Sequence, residues 1–273
     1  MPPTLILIRH AEALHNATHK SRPSPDIPLW YPFTISPTNP LQQNYEIPDP
    51  PLTELGEKQC VEMRDHLRQH LPLADVVELI VVSPMRRTLQ TMLIGLDWLV
   101  ERGVNVRPDA DWQENSDKPC DTGTPLPTIS AEFPTLDFST VDPLYPAKTT
   151  PNNPYAFTRR AVLARGTRAL KNLKHRPEKV IAVVSHSGFL RTAVCKTHFA
   201  NADYRVFEFA GDEEEGEGVK LVEWELTAGK GGGMGRSEKG RADVTESDFP
   251  IEKVEEEMGG KVAGEAAREV PKK

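Results

Sequence analysis

Cysteine is scarce in this chain. Cys60, Cys120 and Cys195 are an odd number, scattered, and lack the paired spacing of a metal site. No disulfide framework and no structural zinc can be built from them, and the compartment they imply is the reducing cytosol. Surplus positive charge is missing too. The net charge is −7 and the isoelectric point near 5.7, whereas duplex-binding surfaces carry excess Lys and Arg to neutralise phosphates. Nucleic acid is not an expected partner. No apolar run approaches the ~20 residues that cross a bilayer, and Met1 to Leu7 has neither a charged leader segment nor a cleavage site. The expectation is a cytoplasmic protein without a membrane partner.

Apolar residues are sparse as well, 38% of 273, which implies that solvated segments dilute an ordinary core. Proline, by contrast, is abundant and clustered. Of 25 prolines, nine fall between Pro23 and Pro51 and eight between Pro119 and Pro154. Nine of the 18 glycines lie from Gly229 onward. From Ala228 the glycine-rich, mixed-charge, aromatic-poor composition predicts a disordered extension over 228–273. The folded body is then 1–227, interrupted by an insert at 17–50 and a long loop at 115–153.

Between the interruptions, apolar patterning alternates in type. Thr4 to Ile8 is short, β-branched and apolar on both faces, as a central parallel strand is. Thr53 can cap a helix whose Cys60, Met63 and Leu67 follow helical spacing. Val76 to Val82 reads as a second buried strand, and Met85 to about Glu101 as a helix with Leu89, Met92, Leu93 and Leu96 on one face. Asn153-Pro154 reads as the cap and first turn of a helix running to Lys174. Lys179 to Ser185 is a third buried strand, Gly188 to Phe199 a helix, and Val206–Phe209 and Val219–Leu226 later strands. This order predicts a three-layer α/β/α fold with a mostly parallel central sheet. Ligands of such sheets sit at the carboxyl ends of the strands. Here those ends carry Arg9-His10, Ser83-Pro84-Met85-Arg86-Arg87 and Ser185-His186-Ser187.

A histidine at one strand end, taken alone, is more often structural than reactive. Three such ends in order change that weighing. The chain resembles the histidine phosphatase superfamily, also called the phosphoglycerate mutase-like family. Arg9-His10-Ala11-Glu12 followed by Asn16 is similar to its Arg-His-Gly-Glu signature with Asn six residues after the His. Ser83 to Thr91 matches Ser-x-x-x-Arg-x-x-x-Thr, and His186-Ser187-Gly188 matches the late His-x-Gly. Pro51 to Gly56 is like the segment before the family's first long helix, so the resemblance spans roughly Leu5 to Val222. Either Arg86 or Arg87 alone reads as a solvated helix-start residue; the family spacing selects Arg87 and leaves Arg86 as a rim charge.

The resemblance implies a metal-independent phosphomonoesterase that needs no cofactor and takes a small phosphorylated substrate. Neutral His10 would attack phosphorus and become a phosphohistidine, which water then hydrolyses. Arg9, Arg87 and His186 would hold the equatorial oxygens as two guanidiniums and an imidazolium, assisted by Ser187 and the amides around Gly188. Glu114, in Asp111-Trp112-Gln113-Glu114, is the match for the general acid; its plainer reading is a solvent-facing loop carboxylate. Asn16 either contacts phosphate or caps a turn, and Asp121 either aligns substrate or caps a helix. Ala11 stands where the family has glycine, which tightens the backbone without removing a reacting group. The insert with Trp30, Tyr31, Phe33 and Tyr45 reads as a stiff flap and as a lid over the leaving group. A mutase uses the same phosphohistidine, but its basic, Tyr-Gly-rich segment is absent after Glu114, where Asn115-Ser116-Asp117-Lys118-Pro119 stands. A non-catalytic phosphate-binding module is the remaining alternative.

Overall fold

The computed structural model describes residues 1–17, 44–211 and 219–250. The core of the predicted insert, 18–43, and the last residues, 251–273, lie outside the described residues. Among the described residues, six strands form one sheet: β1 (Thr4–Arg9), β2 (Leu79–Val82), β3 (Asn105–Pro108), β4 (Val180–Ser185), β5 (Tyr204–Phe209) and β6 (Leu221–Glu223). Their order is β3-β2-β4-β1-β5-β6. The β3-β2, β2-β4 and β4-β1 pairs are parallel, and β1-β5 and β5-β6 are antiparallel. The sheet is thus mostly parallel, as expected.

Because successive strand side chains point to opposite faces, each central strand feeds two apolar layers. Ile6, Ile8, Ile80, Val82, Ala182 and Val184 pack with Met63, Leu67, Leu89 and Met92 of the helices on one face. Leu5, Leu7, Leu79, Val81, Ile181 and Val183 pack with Leu170, Leu173 and Phe189 on the other. Each Leu, Ile, Val, Met or Phe among them, fully buried, contributes about 1.5–3 kcal/mol. The first layer is built on α1 (Glu54–His70), whose N-cap Thr53 accepts the Gly56 amide at 3.0 Å. Glu54 and Glu57 in its first turn and Arg68 and His70 in its last complement the helix dipole.

Several boundaries differ from the sequence reading, each for a local reason. Val76 belongs to a 3-10 turn, Pro72–Val76, so β2 begins at Leu79. The helix expected over 85–101 is two, α2 (Arg86–Gly95) and α3 (Asp97–Glu101), broken at Leu96. A short α4 (Leu126–Glu132) follows, and α5 spans Arg159–Lys174. Its cap is Thr158, not Asn153, whose buried amide instead donates to the Ala147 carbonyl and Thr150 Oγ1. The helix expected over 188–199 is one turn, Ser187–Phe189, followed by a π-type turn, Leu190–Val194.

The largest correction concerns the chain after Thr227. Residues 228–250 are packed, not disordered. The carboxylate of fully buried Asp203 accepts the Tyr204 and Met234 amides at Oδ1 and the Ser237 hydroxyl and Arg236 amide at Oδ2. Gly232 permits this closure: its φ is +86° and a Cβ there would lie 2.2 Å from Asp203 Oδ2. Further along, the Ala242 amide bonds the Lys196 carbonyl, Arg191 pairs with Asp248 at 2.6 Å, and Phe249 is buried. Composition missed this because the segment contributes few apolar side chains and is held by backbone and charge.

Candidate active site

The parallel register brings the predicted residues together. Arg9 of β1 lies opposite Ser185 of β4, and Val82 of β2 opposite Val184. The ladder continues one step past the strands, with the His10 amide on the Ser185 carbonyl and the Ser83 amide on Val184, both at 3.0 Å. Residues next beyond three adjacent strands, His10, Ser83 and His186, therefore share one edge. Arg87 joins them from the first turn of α2.

His10 is buried, and its Nδ1 lies 2.7 Å from the Ala11 carbonyl oxygen. A carbonyl only accepts, so Nδ1 carries the proton and Nε2 presents a lone pair. Arg87 Nε donates to that Nε2 at 3.2 Å. Burial first, and then Arg87, Arg9 and His15, push the His10 pKa well below its ordinary 6.5. The imidazole is neutral, as a nucleophile must be. Ala11 is accommodated: it is fully buried and its amide donates to Thr91 Oγ1.

Arg87 has no exposed surface and its donors are divided. Nη1 reaches the Cys120 carbonyl at 2.6 Å and Nη2 reaches Asp121 Oδ1 at 3.0 Å. Asp121 also accepts from Ser116 Oγ at 2.6 Å. Burial opposes its charge, yet Arg87, the Ser116 bond and Lys148 hold its pKa below the ordinary carboxylate value. Asp121 thus orients Arg87. Arg9 donates from Nη1 to the Phe199 carbonyl at 2.7 Å, while its buried Nε has no hydrogen-bond partner. Burial lowers its pKa to about 10, with Glu114 opposing the shift.

His186 lies 5.2 Å from His10 between ring centroids, and its Nε2 pairs with Ser83 Oγ at 2.8 Å. Its Nδ1 is buried without a partner. Burial, Arg87 and His10 push its pKa well below 6.5. The expected imidazolium is therefore a neutral imidazole, because two guanidiniums nearby in a water-poor site disfavour a further cation. Glu114 accepts at Oε1 from the Asn115 and Phe189 amides, both 2.9 Å, and at Oε2 from Gly188 at 3.0 Å. It is half-buried and held by three amides, unlike a plain loop carboxylate. It occupies the amides expected to assist phosphate, and a Cβ at Gly188 would lie 2.5 Å from Oε1. Ser187 is half-buried at the start of the same turn.

Asn16 uses its side chain locally, accepting the Ala13 amide at 2.9 Å and donating to Asn201 Oδ1 at 3.4 Å. Asn201 in turn donates to the His10 carbonyl at 3.1 Å. Arg86 is not a rim charge. It is buried, with Nε and Nη2 on Glu132 at 2.7 and 2.8 Å and Nη1 on the Asp49 carbonyl. Glu132, at the end of α4, closes over it, which local sequence does not reveal.

Three buried groups were not anticipated as site residues. His15 lies tilted beside His10 at 5.9 Å between ring centroids, its Nδ1 lacks a partner, and burial lowers its pKa to about 3. Lys148 Nζ donates to the carbonyls of Glu114, Ser116 and Asp121 at 2.7, 2.7 and 2.5 Å. Arg165 reaches the Gln113 carbonyl and Asn115 Oδ1 at 2.7 and 2.8 Å. Arg165 left a signal: it sits on the α5 face with Val162, Gly166, Ala169, Leu170 and Leu173. Lys148, in a proline-rich loop, left none. Among the described residues, no group of three or more His, Cys, Asp or Glu is placed to hold a metal, and no helix is long and apolar enough to cross a membrane.

A neutral imidazole flanked by buried guanidiniums at the carboxyl edge of a parallel sheet defines an anion site suited to phosphoryl transfer. A profile of the "Histidine phosphatase superfamily (branch 1)" matches residues 38–212. The chain belongs to that superfamily. The matched stretch begins after β1, and the register above is what joins Arg9 and His10 to it. A phosphoglycerate mutase-like protein of Arabidopsis thaliana is 29% identical over 213 residues, 68% of this chain and 72% of its own length. A Schizosaccharomyces pombe protein named as a probable phosphatase is 32% identical over 147 residues, 52% of this chain and 65% of its own. A solved ecdysone phosphate phosphatase from Bombix mori is 16% identical with a TM-score of 0.48, covering 76% of this chain and 89% of that one. The superfamily and the Arabidopsis and fission-yeast relatives indicate an enzyme of phosphatase or mutase type.

Proposed function

We propose that the chain is a metal-independent phosphomonoesterase acting on a small phosphorylated substrate through a phosphohistidine at His10. The observation that carries this reading is the Nε2 lone pair of His10, fixed by the Ala11 carbonyl and met by Arg87 Nε at 3.2 Å. A phosphoryl group seated there takes Arg87 Nε onto one of its equatorial oxygens, and the Nε2 lone pair so released attacks phosphorus in line, with Arg9 neutralising a further oxygen and His186 contributing an N–H. The unpartnered Arg9 Nε and His186 Nδ1 are polar groups for which a phosphate oxygen and the ester or its water are fitting partners. Glu114 protonates the departing alkoxide and, as carboxylate, takes a proton from the water that cleaves the phosphohistidine.

Hydrolysis is favoured over mutase transfer by how the nearby lysines are used. A mutase needs cations for the far end of its bisphosphorylated intermediate. Lys148 is committed to three carbonyls, and Lys118 lies over the Tyr45 ring at 4.2 Å. The test is rapid-quench labelling with a ³²P monoester. Acid-labile label is expected on the wild type and not on His10→Ala, whose turnover is abolished. Label on the variant refutes the assignment. Primed interconversion of phosphoglycerates outpacing phosphate release refutes the choice of hydrolysis.

A further inference from the structure

The segment from Glu114 to Lys118 belongs to no helix or strand, yet it carries the proposed acid. What holds it is side-chain chemistry from elsewhere in the chain. Lys148 is the central holder. It is buried, and its three acceptors are backbone carbonyls on one loop rather than carboxylates. Three acceptors use all three N–H bonds of an ammonium, whereas a neutral amine offers two. Burial pulls its pKa down to about 7 while the Asp121 and Glu114 carboxylates hold it up, so the ammonium is kept at a cost of several kcal/mol, and a packed methionine would be more stable. The arrangement therefore makes sense by what it fixes. One bond ends on the residue bearing the acid and another on Asp121, whose carboxylate holds Arg87 Nη2 at 3.0 Å. Arg87 in turn meets His10. The lysine is itself seated by Asn153, which donates to the Ala147 carbonyl at 3.0 Å.

We propose that Lys148 is a positioning residue: its ammonium fixes the 114–121 loop so that the Glu114 carboxyl is set relative to Arg87 and His10. This rests on the phosphatase reading with Glu114 as acid. It makes no contact with substrate necessary. It requires that loss of the ammonium be felt where protonation of the leaving group matters.

The test is Lys148→Met, a nearly isosteric neutral side chain, with kcat and KM measured for an alkyl phosphate (glycerol phosphate) and an aryl one (p-nitrophenyl phosphate). The alkyl kcat is expected to fall about 10- to 100-fold, part of the 10²–10⁴-fold that a general acid supplies. The aryl kcat and both KM values are expected to change less than about 3-fold, because Arg87 keeps its bond to the Cys120 carbonyl and Asp121 its bond from Ser116, and nitrophenolate leaves without a proton. In a Glu114→Gln background, Lys148→Met is expected to have almost no further effect on the alkyl ester, since residues acting through one another are not additive. Equal losses on both esters, or a full loss persisting beside Glu114→Gln, overturns the proposal and leaves Lys148 a merely structural residue. Should Lys148→Met melt below the assay temperature, Lys148→Arg is read by the same ratio. It keeps the charge but cannot seat one nitrogen among three carbonyls. A wild type that hydrolyses neither ester overturns the phosphatase reading and this proposal with it. A wild type active on both, with the ratio unchanged in the variants, overturns this proposal alone.

Discussion

Asp203→Asn tests whether residues 228–250 dock in solution as the structure shows. The carboxylate takes four donors: Tyr204 N at 2.8 Å, Met234 N at 2.9 Å, Ser237 Oγ at 2.6 Å and Arg236 N at 3.3 Å. Asparagine keeps the shape and removes the charge, so the unfolded chain is hardly affected. A hydrogen bond to a charged acceptor is worth about 1 kcal/mol more than one to a neutral acceptor, so the two at Oδ1 lose about 2 kcal/mol together. At the other position an NH2 faces the Arg236 amide, donor against donor, and the Ser237 hydroxyl must turn to accept. Those two changes cost about another 2 kcal/mol. The total of about 4 kcal/mol lowers Tm by about 8–16 °C for a domain of this size. In a chain ended after Thr227, three of the four donors are gone, and the same substitution is expected to cost about 1 kcal/mol. Thermal melts of the four proteins give the coupling, expected near 3 kcal/mol. Equal Tm losses in the long and short chains would refute docking on Asp203. A short chain that no longer melts cooperatively would be docking's strongest expression.

Two further outcomes are expected. Arg86→Met leaves Glu132 without its two guanidinium donors and removes the cation 3.8 Å from the buried Asp49 carboxylate, which keeps its amide and Thr124 bonds, so stability should fall by about 3 kcal/mol, read by urea unfolding, with catalysis at 20 °C retained; an unchanged midpoint would restore Arg86 to the rim. Because burial and the neighbouring guanidiniums lower the His10 pKa, the neutral nucleophile persists as pH falls through 6.5. After correction for the substrate's own second ionisation, near 6, kcat/KM should therefore stay level below pH 6. A residual enzyme ionisation at 6.5 would contradict a depressed His10.

The sequence by itself determined the alternation of buried strands and amphipathic helices, because apolar period follows backbone geometry residue by residue. Thr4 to Ile8 and the Cys60, Met63, Leu67 stripe are local facts. The strand-end residues Arg9, His10, Ser83, Arg87 and His186 were legible for the same reason, since a polar residue ending an apolar run marks where a strand leaves the core. Other features depend on distant partners. Arg86 looks solvated until Asp49 and Glu132 close over it. His186 reads as a candidate cation until the guanidiniums beside it are counted. Lys148 is one lysine in a proline-rich loop until three carbonyls from 114–121 surround it. The segment after Thr227 has too little apolar surface to announce a fold, yet Asp203, more than thirty residues before Met234, Arg236 and Ser237, holds it through their amide and hydroxyl donors. Periodicity records burial, which is a property of each residue and its near neighbours. Charge neutralisation and hydrogen-bond closure are properties of pairs, and only the tertiary structure decides which pairs meet.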